Sequence, residues 1–370
     1  MSVGDDDSSW AAVARYWYSK AIDHEPTTGR FHHRLAVLAR PRPVAQLCYY
    51  TKAVCVPSPF PPAHDSIRNL FDQVMAQSQN EGLTSTEDAL VYIHALLCDP
   101  AGHTRRAAVE AWFLSTLDPT VKQTATTTAW TETGYQLAIA NANAVLGYGT
   151  PYHEFMQLIQ PESREGDPDV PMTGSPMDGS PMAGAPNLEG SISLLVNTSE
   201  VVLRSDDPAI HAYLHVTLVL LNFPGLDHAA MFQLEDSFPW KLLASTLNVL
   251  LIGSSEFPRI EGADFPQRTP PRLLPEDYAL RSLFWAATYH PKDFFESVEA
   301  AADDHDRYFE RASYEEERVE RILWLGCQIA KSGRCLVYRN HRFEVAAPYD
   351  VDIGPSPWSH DGDDWVFVEA

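Results

Sequence analysis

The stretch YSKAI (Tyr18 to Ile22) recurs as YTKAV (Tyr50 to Val54), 32 residues further along the chain. Tetratricopeptide units repeat at about 34 residues, each being a pair of helices that buries its apolar face against its neighbours. The surrounding sequence fits such units. From Trp10 to Ala21 apolar and aromatic residues fall at helical spacing, behind Asp and Ser residues suited to cap a first turn. Pro26 and Gly29 interrupt the pattern. Phe31 to Ala39 then reads as a second helix closed by Arg40-Pro41-Arg42-Pro43, and Val44 to Val56 as a third. Chance similarity between two amphipathic helices is the alternative to a true repeat.

Further along, helices are expected over Pro59 to Val74, Thr86 to Leu97, Arg105 to Leu117 and Thr131 to Leu146, separated by Pro or Gly. Small residues in AIANA (Ala138 to Ala142) permit close helix approach. The Thr-rich stretch from Thr120 to Trp130 blurs one boundary, because β-branched residues fit helices poorly. Between Gln160 and Gly190 the composition turns to Pro, Gly, Ser, Met and Asp, too polar to offset its ordering entropy, and reads as a disordered loop. Helical patterns resume at Pro208 to Leu221, Pro239 to Ile252, Pro275 to Tyr289 and Glu315 to Lys331. Cys335 to Tyr338 and Phe343 to Val345 read as a small hairpin, and Asp350 to Ala370 as an acidic, loosely docked tail.

The 370 residues suffice for two ordinary domains or one long helical array, and 45% hydrophobic residues provide for a sizeable core. A formal net charge of -23 repels phosphate backbones at long range, so any nucleic-acid contact needs a local basic patch. Cys48, Cys55, Cys98, Cys327 and Cys335 include no C-x-x-C pair, and reduced buried thiols are expected. The acidic start, Met1 to Asp7, has neither the apolar segment of a signal peptide nor the arginines of a transit peptide, so an intracellular address is expected. Apolar runs break well before the roughly 20 residues of a membrane span.

PTTGRFHHRLAVLARP (Pro26 to Pro41) and YYTKAVCVPSPFPPAHDSI (Tyr49 to Ile67) resemble the last tetratricopeptide-like unit and following helix of the Est/Smg family of telomerase association and nonsense-mediated mRNA decay. GYQLAIAN (Gly134 to Asn141), HVTL (His215 to Leu218), FPWKLL (Phe238 to Leu243), LPEDYALR (Leu274 to Arg281) and RILWLG (Arg321 to Gly326) follow in the order found in fungal members. The resemblance implies an all-α protein: tetratricopeptide-like or 14-3-3-like hairpins over residues 1–80, then a stack of helical hairpins, an α-solenoid, over 81–159 and 191–340. The loop 160–190 would interrupt the stack and the tail 341–370 would follow it. The resemblance departs from the family at two places. Helices that carry most of the phosphate-binding basic residues in phosphopeptide-binding members would lie before Met1, and a nuclease-type PIN domain would lie after Ala370.

The resemblance further implies a non-catalytic scaffold in nucleus, cytoplasm or both. Its partners would be proteins of decay or telomere maintenance, such as a decay helicase or telomerase components. The alternative is a module that contacts telomeric single-stranded DNA or RNA through basic N-terminal helices. The residues concerned are Lys20, Arg30, Arg34, Arg40, Arg42 and Lys52, with Arg15 beside them, in a region with few acids. Arg and Lys give charge-assisted hydrogen bonds to phosphate oxygens, although a solvated helix surface has the same composition. Tyr16, Trp17, Tyr18, Tyr49 and Tyr50 would stack bases or, at helical spacing, fill a core.

Other candidates carry plainer readings beside the functional one. His211 and His215 share a helix face, as zinc ligands do, but need a third ligand and lack the H-E-x-x-H pattern; a packed or capping pair is the alternative. Asp303-Asp304-His305-Asp306 lacks the spacing and glycine of a calcium loop. Gly253-Ser254-Ser255-Glu256 lacks the second glycine of a nucleophile elbow and reads as a helix exit. No phosphate loop or dinucleotide fingerprint occurs in the sequence, and no enzyme, metal or other cofactor is expected.

Overall fold

Proline and glycine divide the chain into short segments with one apolar face each, which favours helices stacked in series over a few long ones. A computed structural model describes residues 3–124, 128–159, 185–223, 228–253, 257–268, 272–299, 312–351 and 354. Among them the chain forms sixteen α-helices and one two-stranded sheet. The protein is all-α, built from packed helical hairpins.

The series opens with α1 (Val3–His24), α2 (Gly29–Leu38), α3 (Pro43–Val54), α4 (Ala63–Glu81), α5 (Thr86–Leu97) and α6 (His103–Thr124), each packed on the next. The repeated YSKAI and YTKAV segments fall on α1 and α3, the leading helices of successive hairpins. At the start of α2 a Cβ on Gly29 would lie 2.1 Å from the Ala53 carbonyl oxygen, so only glycine lets α2 meet the backbone of α3. Proline in the first turn starts α3, and Ser85 caps α5 by accepting the Asp88 amide at 3.0 Å.

α7 (Thr128–Val145) is the hub, packed against α3, α6, α9 (Leu188–Leu203) and α10 (His211–Leu221). Every residue from Gly134 to Tyr148 is buried, and Ala138, Ala140, Ala142 and Ala144 let neighbouring helices approach closely. The chain then turns through Gly147-Tyr148-Gly149, three successive left-handed residues (φ 60°, 51° and 69°) that swing the Tyr148 hydroxyl onto His94 at 2.8 Å. α8 (Glu154–Ile159) precedes α9, while α11 (His228–Glu235) packs on both.

α12 (Trp240–Ile252), α13 (Phe257–Glu261), α14 (Pro275–Leu280), α15 (Phe294–Glu299) and α16 (Ala312–Ala330) complete the helices. The expected hairpin is present as β1 (Leu336–Arg339) and β2 (Arg342–Val345), in antiparallel register with Leu336 opposite Val345. Its two-residue turn, Asn340-His341, has φ of 50° and 57°, the left-handed pair of a type I′ connection. Buried apolar residues from Ala36 to Phe343 form one contiguous cluster. Fully burying a side chain such as Phe113 or Trp240 contributes about 2–3 kcal/mol, so this cluster binds the hairpins together.

Two expectations are corrected. The stretch read as loop to Gly190 already contains the start of α9 at Leu188, because the Asn187 side chain accepts the Gly190 amide at 2.8 Å and caps a helix there; residues 160–184 lie outside the described residues. The helix expected from Pro275 to Tyr289 stops at Leu280, since Arg281 is extended and Ser282 left-handed (φ 67°). A short 3-10 turn, Phe284–Ala286, follows it. The readings of Asp303 to Asp306, of Ser254 to Glu256 and of all but the first residues of the tail also lie outside the described residues.

Candidate functional site

The basic residues of the N-terminal helices have different fates. Arg30 and Arg34 stand one turn apart on α2, with Val37 along the same line, and all three are exposed. Arg40, just beyond α2, is exposed as well, and no ion pair engages any of these three arginines among the described residues. Arg15 is exposed and donates to the Leu38 carbonyl at 2.9 Å, tying α1 to the end of α2. Lys20 lies half-buried with its ammonium 5.9 Å from the Tyr16 ring centroid. Arg42 is held to Glu132 at 3.0 Å.

Lys52 does not join this surface. It is 2% exposed, and its ammonium donates to the Tyr278 and Ala279 carbonyls at 3.0 and 2.7 Å, near the end of α14. Orphan carbonyls at a helix C-terminus attract a cation, which makes Lys52 a strut between α3 and α14.

The aromatic residues also separate. Tyr50 is in the core, 3% exposed, and Tyr18 and Tyr49 are half-buried. On the face of α1 turned away from α2, Trp10 is 70% and Trp17 65% exposed, with Val13 and Tyr16 between them also exposed. Their spacing of three and four residues forms one apolar stripe. Ser19 and Ile22 on the other side are buried.

A second polar constellation lies deep between α10, α14 and α16. His215 places Nδ1 at 3.0 Å from the Glu276 carboxylate and Nε2 at 2.5 Å from the Tyr289 hydroxyl. Arg318 grips both Glu276 oxygens, at 2.6 and 3.1 Å, and also reaches Glu315 at 3.0 Å. His211, one turn before His215, contacts Glu315 instead. Next to this set, Arg321 donates to Asp277 at 2.5 Å and to Glu317 at 3.0 Å, while His290 meets the other Asp277 oxygen at 3.0 Å. The Arg321 guanidinium also lies 5.0 Å from the Phe265 ring centroid and 5.4 Å from that of Phe294.

Burial pushes the Glu276 carboxyl up, yet Arg318 and His215 outweigh it and hold it down at about 2. Asp277 is likewise held well below its ordinary value against burial, chiefly by Arg321 and then His290. Burial lowers His290 and raises Tyr289. The result is a largely buried set of charges that links α10, α14 and α16 through their side chains. Sequence reading singled out only His211 and His215 of its three histidines. Its Arg and acidic members lie in or beside the LPEDYALR and RILWLG strings, so a run of mixed charges was the available signal there.

His211 and His215 therefore serve different carboxylates, and no group of three His, Cys, Asp or Glu side chains is placed to hold a metal ion among the described residues. The five cysteines are free. Burial raises Cys48 and Cys98 to about 12, which keeps them as thiols at neutral pH. No described helix is long and apolar enough to cross a membrane. No family model matches the chain, and no curated protein matches it.

Proposed function

We propose that the chain is a non-catalytic helical scaffold of the Est/Smg kind, engaging protein partners in nonsense-mediated mRNA decay, telomere maintenance or both. The observation that supports this reading is the outer face of the first hairpin. Trp10, Val13, Tyr16 and Trp17 expose a continuous apolar stripe on α1, while Arg30, Arg34 and Arg40 on and beside α2 have no ion pair among the described residues. Large exposed aromatic residues in a patch mark interaction surfaces, and Trp, Tyr and Arg dominate binding energy at protein interfaces. The test is affinity purification of the tagged chain from its own cells, beside a Trp10→Ala/Trp17→Ala variant. A decay helicase or telomerase components should co-purify with the first and be lost from the second. Equal recovery by both would remove the hairpin from the account.

A nucleic-acid module is the second reading, favoured by the three unpaired arginines. It rests on fewer cations than the composition offers, since Lys52 is buried and Arg42 is engaged by Glu132. Three phosphate contacts predict that log K for a single strand falls against log salt with a slope of about -2. Replacing Arg30, Arg34 and Arg40 by Ala should bring that slope towards zero. An unchanged slope would rule this reading out.

A further inference from the structure

A different face of the molecule carries a second binding feature. Between α8, α9 and α11 runs an open cleft with a volume of 730 Å³. Leu188, Ile192 and Val196, each one turn from the next along α9, form its floor, and Phe232 of α11, 55% exposed, forms an apolar wall. The rim is acidic. Glu154, Glu189 and Asp236 stand exposed around it with no ion pair among the described residues, and Glu200 closes one end while holding Arg204 at 2.8 Å. Among the described residues no Lys or Arg lines the cleft.

We infer that this cleft is a docking groove for a basic amphipathic helix of a partner protein, its apolar anchors on Ile192, Val196 and Phe232 and its Lys or Arg side chains on the acidic rim. The dimensions match: Leu188 to Glu200 is 13 residues, about 18 Å of helix, so three to four turns of a partner helix fill it. An amphipathic helix laid in an apolar groove is a recurrent recognition mode, and the charge ring selects its sign. The two longest segments outside the described residues suit the groove poorly. Residues 160–184, between α8 and α9, hold Glu162, Glu165, Asp167, Asp169 and Asp178 against one Arg164, and residues 355–370 hold four acids and no Lys or Arg. Either segment would bring like charge to the rim. The inference goes beyond the scaffold reading, because it concerns another surface and another partner chemistry.

The probe is a fluorescein-labelled peptide of leucine and lysine, about 14 residues long, with leucines at helical spacing. Its companion has the same pattern with glutamate for lysine. The full-length chain should bind the lysine peptide and not the glutamate one. Because the protein is strongly acidic, two variants of equal charge change separate groove from bulk attraction: Glu154→Gln/Glu189→Gln/Asp236→Asn in the rim, and Asp72→Asn/Glu81→Gln/Glu344→Gln elsewhere. The rim variant should bind about tenfold more weakly and the remote one within about twofold of the wild type. Phe232→Ala should weaken binding about fivefold with an unchanged circular dichroism spectrum. Trp10→Ala/Trp17→Ala should bind normally, whatever becomes of the scaffold reading. Equal weakening by the two charge variants, no effect of Phe232→Ala, or equal binding of the glutamate peptide would each overturn the groove.

Discussion

Lys20 and Lys52 hold the same place in the repeated segment, yet one lies at the edge of the stack and the other at its centre. α1 packs mainly on α2, so Lys20 keeps contact with water and rests near the Tyr16 ring. α3 is flanked by α2, α4, α5 and α7, and Lys52 is sealed against two carbonyls of α14. The arginines divide in the same way: Arg30 and Arg34 are exposed, whereas Arg318 and Arg321 are fully buried and held by carboxylates. Position in the stack decides whether a cation stays at the surface or becomes a strut. Side-chain chemistry alone does not.

This contrast breaks first at the interior. Arg321→Ala leaves Asp277 buried without its counter-charge and should cost about 3–5 kcal/mol, read as a lower urea midpoint. A midpoint equal to the wild type would place Arg321 with the edge residues. Acid should expose the same interior charges. Glu276 has a depressed folded-state value of about 2, so its contribution is complete above its ordinary value of 4.5 and is lost as pH falls from there towards 2, to the extent of about 3 kcal/mol. His94 acts at higher pH. Burial lowers it from 6.5 to about 4, so the folded state takes up its proton less readily than the unfolded chain, and stability declines as pH drops below 6.5 towards 4. Urea midpoints at pH 7, 5 and 3 should therefore fall in two stages, and His94→Gln should lessen only the upper one, which the other histidines lowered by burial, His32 and His290 among them, share.

Lys52→Ala comes next, at about 2 kcal/mol, because two buried carbonyls lose their donor. Lys20→Ala, at the matching edge position, should stay within about 0.5 kcal/mol. The smallest effect on stability belongs to the proposed binding face. Arg30→Ala, Arg34→Ala and Trp17→Ala should each leave the thermal midpoint almost unchanged, and a drop comparable to that of Lys52→Ala would mean that this face is packed.

Sequence pattern recovered elements with clear boundaries. α5 runs from Thr86 to Leu97 as expected, and the β1–β2 hairpin falls within Cys335 to Val345. α9 escaped although its four residues that are not buried, Glu189, Ser193, Asn197 and Glu200, fall at helical spacing; the Pro- and Gly-rich composition that runs up to its first turn masked its start. The end of α14 escaped for another reason. Arg281 and Ser282 adopt extended and left-handed backbone where nothing in the local sequence breaks a helix. Lys52 was read as surface because spacing reports residue type and not environment. Its neighbours could have corrected that, since Val44 to Val56 is apolar at most positions and hence buried all round. The ionic set of Glu276, Asp277, Arg318 and Arg321 needs contacts across more than 40 residues, which no local pattern encodes.

The division between a binding edge and a structural interior is tested most directly by pairing one stability curve with one capture experiment on the same protein. In a variant with Trp10, Trp17, Arg30, Arg34 and Arg40 all changed to Ala, the urea midpoint should match the wild type while partner recovery from source cells is lost. Undiminished recovery at an unchanged midpoint would contradict the account.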